Sequence, residues 1–207
     1  MKRPEVVVFD LGKVLVDFDY AIAARRIAQS AAMDAANIQR VLDQSTLLFR
    51  YETGLMTREQ FFNDVREVTG FTGSLETFGS FFADVFSPID PMIGLHAALR
   101  TSGVRTCIFS NTNDLAVDHI RRNFPFFSTF DDHVLSYEHG SMKPEARLYE
   151  VVERVTGHST EAILYLDDRL ENVEAGRARG WQTIHHQTPA ASIARVQALQ
   201  LLKGSSL

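Results

Sequence analysis

The chain has 207 residues, of which 45% are hydrophobic and 23% are charged, and its net charge at pH 7 is −5. This balance is typical of a folded globular protein and excludes a largely disordered chain. The acidic charge argues against a nucleic-acid partner, because binding to a phosphate backbone needs a basic face. A small phosphorylated substrate stays open, since a metal ion, one lysine and backbone amides can balance its charge locally.

The single cysteine, Cys107, lies in an apolar segment and has no second cysteine with which to form an intramolecular disulfide. We interpret it as a buried apolar residue. The apolar run near the N-terminus is too short for an export signal, and no other run is long enough to cross a membrane. The sequence therefore predicts a cytoplasmic protein with no membrane partner.

The first regular element is predicted to be a strand that ends on an acidic residue. Residues 6–9 are apolar and mostly β-branched, which predicts a strand buried on both faces. Asp10 follows directly, and Gly12 comes two residues later. Because ligands bind at the carboxyl ends of strands in open parallel sheets, Asp10 is predicted to be a nucleophile, a metal ligand or both.

Residues 17–87 show only helical patterns. Residues 20–43 are rich in helix-forming residues, a capping box at Thr57 opens a helix that Gly70 ends, and apolar residues recur at helical spacing from 74 to 86. This block follows the first strand and precedes the others. It is therefore predicted to be an all-helical cap inserted into the core.

From residue 88 onward, predicted strands and helices alternate. The strands are expected at residues 105–109, 133–136, 162–166 and 181–185. The helices are expected at 90–101 (with Asp90 as N-cap), up to 123, at 144–157, at 170–179 and at 190–202. This alternation predicts an α/β core with a Rossmann-like parallel sheet and helices on both faces, formed by residues 1–16 and 88–207 around the cap at 17–87.

Four predicted strand ends bring polar residues to one edge of this sheet. They carry Asp10, the pair Ser110-Asn111, Lys143 and the pair Asp167-Asp168. Close carboxylates repel one another unless a cation lies between them. Oxygen ligands suit Mg²⁺, which also binds phosphate oxygens. The edge is therefore predicted to hold a phosphate group with a carboxylate aimed at it.

These residues lie in four motifs that resemble those of the haloacid dehalogenase (HAD) superfamily. The motifs are Phe9-Asp10-Leu11-Gly12-Lys13-Val14-Leu15, Ile108-Phe109-Ser110-Asn111, Met142-Lys143-Pro144-Glu145 and Leu166-Asp167-Asp168-Arg169-Leu170-Glu171-Asn172. Their order, with a helical insertion after the first, covers nearly the whole chain. Within the superfamily, the combination is similar to sugar phosphatases of the α-D-glucose-1-phosphate phosphatase type, which carry a helical (C1) cap.

The resemblance implies a Mg²⁺-dependent phosphatase that acts on a sugar phosphate or a similar small phosphomonoester. Asp10 would attack phosphorus and form an aspartyl-phosphate intermediate. Ser110 and Asn111 would bind the transferring phosphoryl group, and Lys143 would contact both Asp10 and the phosphate. The cap would close over the site and select the leaving group.

The resemblance also implies the metal ligands. Asp10, the backbone carbonyl of Gly12 and Asp168 would bind Mg²⁺, with Asp167 as a further ligand or as a residue that orients the others. Asn172 lies one helical turn beyond these acids and is expected to orient Lys143 or the metal ligands.

Gly12 is a departure from the family pattern. Most phosphatases of the superfamily carry at this position a second aspartate that acts as general acid and base, a contribution of roughly 10²–10⁴-fold in rate. The carbonyl needed for the metal is retained, but the proton-transfer group is missing. Asp17 and Asp19 are the nearest substitutes, with solvent-facing or helix-capping roles as the alternative.

Other interpretations stay open at this point. A 2-haloacid dehalogenase would work without a metal, and the pair Asp167-Asp168 argues against it. A non-catalytic phosphate-binding or regulatory protein is suggested by Gly12. Residues 50–54 either face the substrate or only connect two cap helices. The pair His185-His186 is not expected to bind one ion, because neighbours on a strand point to opposite faces.

Overall fold

The computed structural model describes residues 3–43 and 45–202. The strands in these ranges are β1 (Val6–Phe9), β2 (Val16–Phe18), β3 (Phe86–Pro88), β4 (Arg105–Ser110), β5 (Asp132–Leu135), β6 (Ile163–Asp167) and β7 (Gln182–His185). The helices are α1 (Tyr20–Ala28), α2 (Ala35–Asp43), α3 (Thr46–Glu52), α4 (Arg58–Thr69), α5 (Leu75–Ala83), α6 (Asp90–Thr101), α7 (Asp114–Asn123), α8 (Ala146–Thr156), α9 (Leu170–Ala178) and α10 (Pro189–Ala198). None of the helices in these ranges combines the length and the apolar character needed to cross a membrane.

Five of the strands form a parallel sheet in the order β5-β4-β1-β6-β7. β1 pairs with β4 on one side, where Val7 lies opposite Thr106, and with β6 on the other, where Val7 lies opposite Leu164. The strand order therefore reverses at β1, and open α/β sheets bind their ligands at such switch points. The predicted α/β fold with a Rossmann-like parallel sheet is confirmed.

Helices cover both faces of the sheet, as the alternation of side chains along its strands requires. Val7 and Phe9 of β1 belong to one apolar cluster, which also contains residues of α6, α7 and α10. Val6 and Val8 belong to the opposite cluster, which contains residues of α8 and Cys107. Cys107 is buried and free, which confirms its interpretation as a core residue. Burial on both faces explains why β1 is apolar at every position.

Helices α1 to α5 pack around a third apolar cluster. Aromatic rings make up much of it: Tyr51 stacks on Phe61 with ring centroids 4.5 Å apart, and Phe78 stacks on Phe82 at 5.8 Å. Leu115 of α7 also joins this cluster, which gives the helical block an apolar contact with the core. We refer to residues 20–83 as the helical block.

The prediction of an all-helical segment without strands over residues 17–87 is wrong at both ends. β2 and β3 pair antiparallel, with Val16 opposite Pro88 and Phe18 opposite Phe86. Each strand has only three residues and its partner lies far along the chain, so no local pattern marks either strand. The predicted boundaries fall inside this two-stranded ribbon, and the division into core and cap domains stays a prediction.

Local helix signals in the sequence are confirmed more closely than helix bounds. Thr57 forms the predicted capping box, and Gly70 and Gly157 end their helices in the left-handed conformation that glycine adopts without strain. Asp90 is in the first turn of α6 rather than at its N-cap, which is Ile89. The remaining differences are a break in the 20–43 region between α1 and α2, an earlier end of α5 at Ala83, a later start of α8 at Ala146 and an earlier end of α10 at Ala198.

Candidate active site

Asp10 lies at the carboxyl end of β1, where the chain leaves the sheet. Its N–H donates to the carbonyl of Leu166 in β6 (2.9 Å), which fixes the residue at the sheet edge. Its side chain is buried, and Oδ1 accepts hydrogen bonds from the Leu11 N–H (2.7 Å) and from Lys143 Nζ (2.9 Å). Among the described residues nothing is bonded to Oδ2, so the carboxylate is held through one oxygen and keeps the other available.

Lys143 is buried between two carboxylates. Its Nζ donates to Asp10 Oδ1 (2.9 Å), to Asp167 Oδ2 (2.7 Å) and to the carbonyl of Phe109 (2.9 Å). Burial opposes its charge, but the two carboxylates outweigh that effect and raise the pKa of Lys143 above its ordinary value. A lysine ammonium has three donors, and all three are used within the protein. In this arrangement Lys143 holds Asp10 and balances charge but has no donor left for a phosphate.

The two acids at the end of β6, its last residue Asp167 and the following Asp168, have different surroundings. Asp167 is fully buried: Oδ1 accepts from the Asn172 amide (3.1 Å), and Oδ2 accepts from Lys143 and from the Tyr165 hydroxyl. Burial opposes its ionisation, but Lys143 outweighs burial and holds the pKa of Asp167 below its ordinary value. Asp168 is only partly buried, and burial together with the charge of Asp167 raises its pKa. The surroundings favour Asp168 as a metal ligand and Asp167 as the residue that orients Lys143.

The acids at this edge form a cluster of the kind that holds a cation. Asp10, Asp167 and Asp168 each offer an oxygen, and these atoms all lie within 4.8 Å of one another. Burial raises the pKa of Asp10 to about 8 although Lys143 acts in the opposite direction. One lysine therefore does not balance the three acids, and a divalent cation would supply the missing charge. The all-oxygen donor set fits Mg²⁺, with Asp10, Asp168 and the Gly12 carbonyl as the candidate ligands.

Ser110 is the last residue of β4 and Asn111 follows it, and both line the same cavity as Asp10. The Asn111 side chain donates to the carbonyl of Lys143 (3.0 Å) and accepts from its N–H (2.7 Å). This side chain therefore positions the segment that carries Lys143 and is not free to bind a phosphoryl group, unlike the role that the resemblance implies. Ser110 Oγ bonds to the Asn111 carbonyl at 3.2 Å and stays a candidate for phosphoryl binding.

An aromatic ring occupies the space where the missing acid would lie. A Cβ atom on Gly12 would come within 2.9 Å of Phe18 Cε1. Asp19 caps α1, and Asp17 is an exposed partner of Lys13 Nζ at 2.5 Å. Neither acid lines the cavity. The expectation that one of them replaces the missing proton donor is therefore wrong, and the helix-capping and solvent-facing roles are the ones found.

The cavity in front of Asp10 has a volume of about 270 Å³, and the helical block supplies part of its lining. Burial raises the pKa of Glu52, at the end of α3, to about 7, while Arg169 and Lys143 act to lower it. Asp43, at the end of α2, has a buried Oδ1 without a hydrogen-bond partner among the described residues. A substrate-facing role for residues 50–54 was one of two interpretations of the sequence, whereas no sequence pattern marks Asp43.

Polar contacts hold the helical block against α7. The Tyr51 hydroxyl bonds to Asp114. Arg58 bridges two acids, with Nε 2.7 Å from Asp114 and Nη2 2.7 Å from Asp118. The end of α3 and the start of α4 are thereby fixed relative to the core beside the cavity.

The two histidines at the end of β7, its last residue His185 and the following His186, have separate partners, as strand alternation predicts. His185 Nε2 donates to the Asp168 carbonyl (2.9 Å), and His186 Nδ1 bonds to the Ser192 hydroxyl (2.8 Å). His185 therefore supports the loop that carries the candidate metal ligand. Its role could not be read from the sequence, because it depends on the pairing of β6 with β7.

A parallel sheet that presents a buried aspartate, a lysine and two further acids at its carboxyl edge, beside an inserted helical block, defines a HAD-like hydrolase. The sequence matches the haloacid dehalogenase-like hydrolase family over residues 4–180. The match spans well over half of the chain, and the chain therefore belongs to this family.

Three relatives illustrate the similarity. D-ribitol-5-phosphate phosphatase of Bacteroides thetaiotaomicron is 22% identical over 191 residues, which cover 89% of this chain and 92% of that protein. A HAD family enzyme of the same species, crystallised with magnesium and inorganic phosphate, has a TM-score of 0.77 at 23% identity and covers 87% of this chain and 93% of its own. A HAD-like hydrolase of Porphyromonas gingivalis has a TM-score of 0.80 at 23% identity, with 95% and 98% covered. The likeness to these structures establishes the shared fold.

Proposed function

We propose that this protein is a Mg²⁺-dependent phosphatase that hydrolyses a small phosphomonoester through an aspartyl-phosphate intermediate on Asp10. The proposal depends above all on how the two oxygens of the Asp10 carboxylate are hydrogen-bonded. Its Oδ1 is fixed by Lys143 and by a backbone N–H, while Oδ2 has no bond among the described residues. A carboxylate held in this way is suited to nucleophilic attack, and its proximity to Asp168 suits a metal that orients a phosphate.

Each protein group has a separate role in the first step. Asp10 attacks phosphorus as the bond to the leaving-group oxygen breaks. Lys143 holds Asp10 in place and favours its charged form, and the Ser110 hydroxyl donates to a phosphoryl oxygen. Mg²⁺, when bound, supplies the positive charge that allows a phosphate dianion to lie among carboxylates. The magnesium and phosphate crystallised with the Bacteroides HAD enzyme support this choice of metal and ligand.

The cavity favours a small, hydroxylated leaving group. Its volume of about 270 Å³ lies below the range of roughly 300–1,000 Å³ that is common for drug-sized ligands. Asp43 also lines the cavity, and its carboxylate is an acceptor suited to a hydroxylated substrate. The curated relative named for D-ribitol 5-phosphate supports a sugar or polyol phosphate as the substrate class.

The test is phosphate release from a panel of sugar and polyol phosphates, with Mg²⁺ and with excess EDTA. We expect turnover that EDTA abolishes. Asp10→Asn should lower kcat by roughly 10⁴-fold or more, because it removes the nucleophile. Asp17→Asn is the matched control, since it neutralises an exposed acid outside the cavity and should leave turnover unchanged.

Three outcomes would contradict the proposal. Phosphate release that survives Asp10→Asn would remove the nucleophile assignment. Metal-independent halide release from 2-haloacids, without phosphatase activity, would favour the dehalogenase alternative. Binding of inorganic phosphate without turnover of any ester in the panel would favour a regulatory protein.

A further inference from the structure

The proposed reaction needs a proton donor that the first motif does not supply. A sugar or polyol alkoxide is a poor leaving group, so its oxygen must gain a proton as the P–O bond breaks. Gly12 carries no acid, and Phe18 occupies the adjacent space. Asp17 and Asp19 lie outside the cavity. A donor must therefore come from another element that borders Asp10.

Glu52 is an acid of the helical block that lines the cavity together with Asp10. It is the last residue of α3, so its side chain is carried by a helix end that the core fixes in place. The Ser136 hydroxyl donates to the Glu52 carbonyl (2.5 Å) and accepts from the Thr112 N–H (2.9 Å). Thr112 is two residues beyond Ser110 in the segment after β4. The backbone of Glu52 is thereby tied to the segment that would bind the phosphoryl group.

The Glu52 carboxyl is free to take part in chemistry. Among the described residues, no side chain forms a hydrogen bond or an ion pair with it. Burial raises its pKa to about 7, and the positive charges that oppose this rise come from Arg169 and Lys143. Tyr20 and Asp43 are the other titratable groups of the helical block that line the cavity. A carboxyl with a pKa near neutrality is suited to both donating and accepting a proton.

Asp43 is the other acid that the helical block places in the cavity, but its situation differs. Its Oδ2 accepts a hydrogen bond from Gln39 Nε2 (3.2 Å) on the same helix. The backbone of Glu52 is instead tied through Ser136 to the segment after Ser110. The charge of Lys143, the partner of Asp10, acts to lower the pKa of the Glu52 carboxyl. Glu52 is therefore the acid of the helical block that the contacts connect to the reacting centre.

We propose that Glu52 is the general acid and base of this enzyme, supplied by the helical block in place of the acid absent at Gly12. The assignment rests on the proposed phosphatase function. In the first step Asp10 bonds to phosphorus, the P–O bond to the substrate oxygen breaks, and Glu52 gives its proton to that oxygen, so the alcohol leaves. In the second step water attacks phosphorus, Glu52 takes a proton from the water, and the acyl-phosphate bond breaks to release inorganic phosphate and the Asp10 carboxylate.

The test compares wild type with Glu52→Gln on two substrates, a polyol phosphate and p-nitrophenyl phosphate. For the polyol phosphate we expect kcat to fall by roughly 10²–10⁴-fold. p-Nitrophenolate leaves without a proton, so the variant should release it in a rapid burst of one equivalent per site, followed by slow turnover limited by hydrolysis of the aspartyl-phosphate. Glu67→Gln, at an exposed position of α4, is the matched control and should show neither change.

A second measurement keeps the assignment testable if Glu52→Gln does not fold. In wild type, kcat/KM for the polyol phosphate should fall as the pH rises through about 7, because Glu52 must be protonated to act as the acid. With p-nitrophenyl phosphate that limb should be absent or much weaker, since its leaving group needs no proton. The same alkaline limb with both substrates would overturn the assignment.

The remaining outcomes separate this assignment from the proposed function. Glu52→Gln turnover equal to wild type on both substrates would overturn the role of Glu52 and leave the phosphatase intact. A higher KM for the polyol phosphate with unchanged kcat and no burst would also overturn it, because that result describes a binding residue. Failure of wild type to hydrolyse either ester would instead overturn the proposed function itself.

Discussion

The core side of the cavity and the side formed by the helical block differ in how fully their polar groups are hydrogen-bonded. On the core side, the polar groups of Lys143 and Asp167 are saturated with hydrogen bonds inside the protein. On the side of the helical block, Asp43 has an unbonded buried oxygen and the Glu52 carboxyl has no bonded partner among the described residues. The core side is therefore organised by its own hydrogen bonds, whereas the helical block brings to the cavity two carboxylates that the protein bonds only in part or not at all. Variants on the two sides of the cavity are therefore expected to have different effects.

The largest expected effect is on the core side. Lys143→Met leaves Asp10 and Asp167 buried without their common counter-charge, and removing one partner of a buried pair costs about 3–5 kcal/mol in the free energy of unfolding. Chemical denaturation without metal measures it. Lys13→Met is the control, because its ion pair with Asp17 is exposed and should contribute about 1 kcal/mol or less. Equal costs for the two variants would mean that the core side is not a saturated network.

Asp43→Ala tests whether the side of the cavity formed by the helical block recognises the substrate. If the Asp43 carboxylate, which lines the cavity, accepts a hydrogen bond from a substrate hydroxyl, its loss should raise KM for the polyol phosphate by roughly 10–100-fold, the equivalent of a hydrogen bond to a charged group. KM for p-nitrophenyl phosphate, which has no aliphatic hydroxyl, should change little. A similar rise for both substrates would indicate that Asp43 maintains the cavity rather than recognising the substrate.

The pH dependence of stability tests the environment of Glu52. The pKa of this carboxyl is about 7 in the folded protein against an ordinary 4.5. Between these values the unfolded chain releases the proton that the folded protein retains, so the contribution of Glu52 to stability falls as the pH rises. Glu52→Gln removes that loss.

We therefore expect Glu52→Gln to be more stable than wild type by about 1–3 kcal/mol near pH 8, and no more stable near pH 4. Thermal melts at the two pH values measure the difference, with Glu67→Gln as the control. A gain that is the same at both pH values would show that the carboxyl is not held in an environment that disfavours its charge.

The core side of the cavity was largely predictable from the sequence, whereas the side formed by the helical block was not. The apolar residues 6–9 predicted a strand buried on both faces, which places Asp10 at the edge of the sheet. The structure has β1 at these residues. The bonds of the Asn111 side chain to the Lys143 backbone could not be predicted, because they connect segments that only the folded sheet brings together. Glu52 and Asp43 end helices whose position over the sheet depends on tertiary docking, which no local periodicity encodes.

The smallest expected effect concerns how the helical block is held in place. Arg58→Gln breaks the bridges to Asp114 and Asp118, which are partly exposed and should contribute about 1 kcal/mol or less. Global stability should hardly change, but amide hydrogen exchange should become faster at the start of α4, because it would separate from α7 more often. Exchange in α3 should also become faster, because α3 packs on α4 through Tyr51 and Phe61.

Arg26→Gln is the matched control for that effect. Arg26 forms a somewhat more exposed bridge to Asp84 (2.9 Å), but both residues lie on the helical side of the ribbon, so breaking it loosens no contact with the core. Faster exchange in α3 with Arg58→Gln alone would show that the docking of α3 on the core depends on this bridge. Since Glu52 ends α3, the same variant should also weaken turnover of the polyol phosphate more than that of p-nitrophenyl phosphate. Equal exchange in the two variants would mean that the remaining contacts, which include the Tyr51–Asp114 bond and the apolar contact through Leu115, are sufficient to hold the helical block against the core.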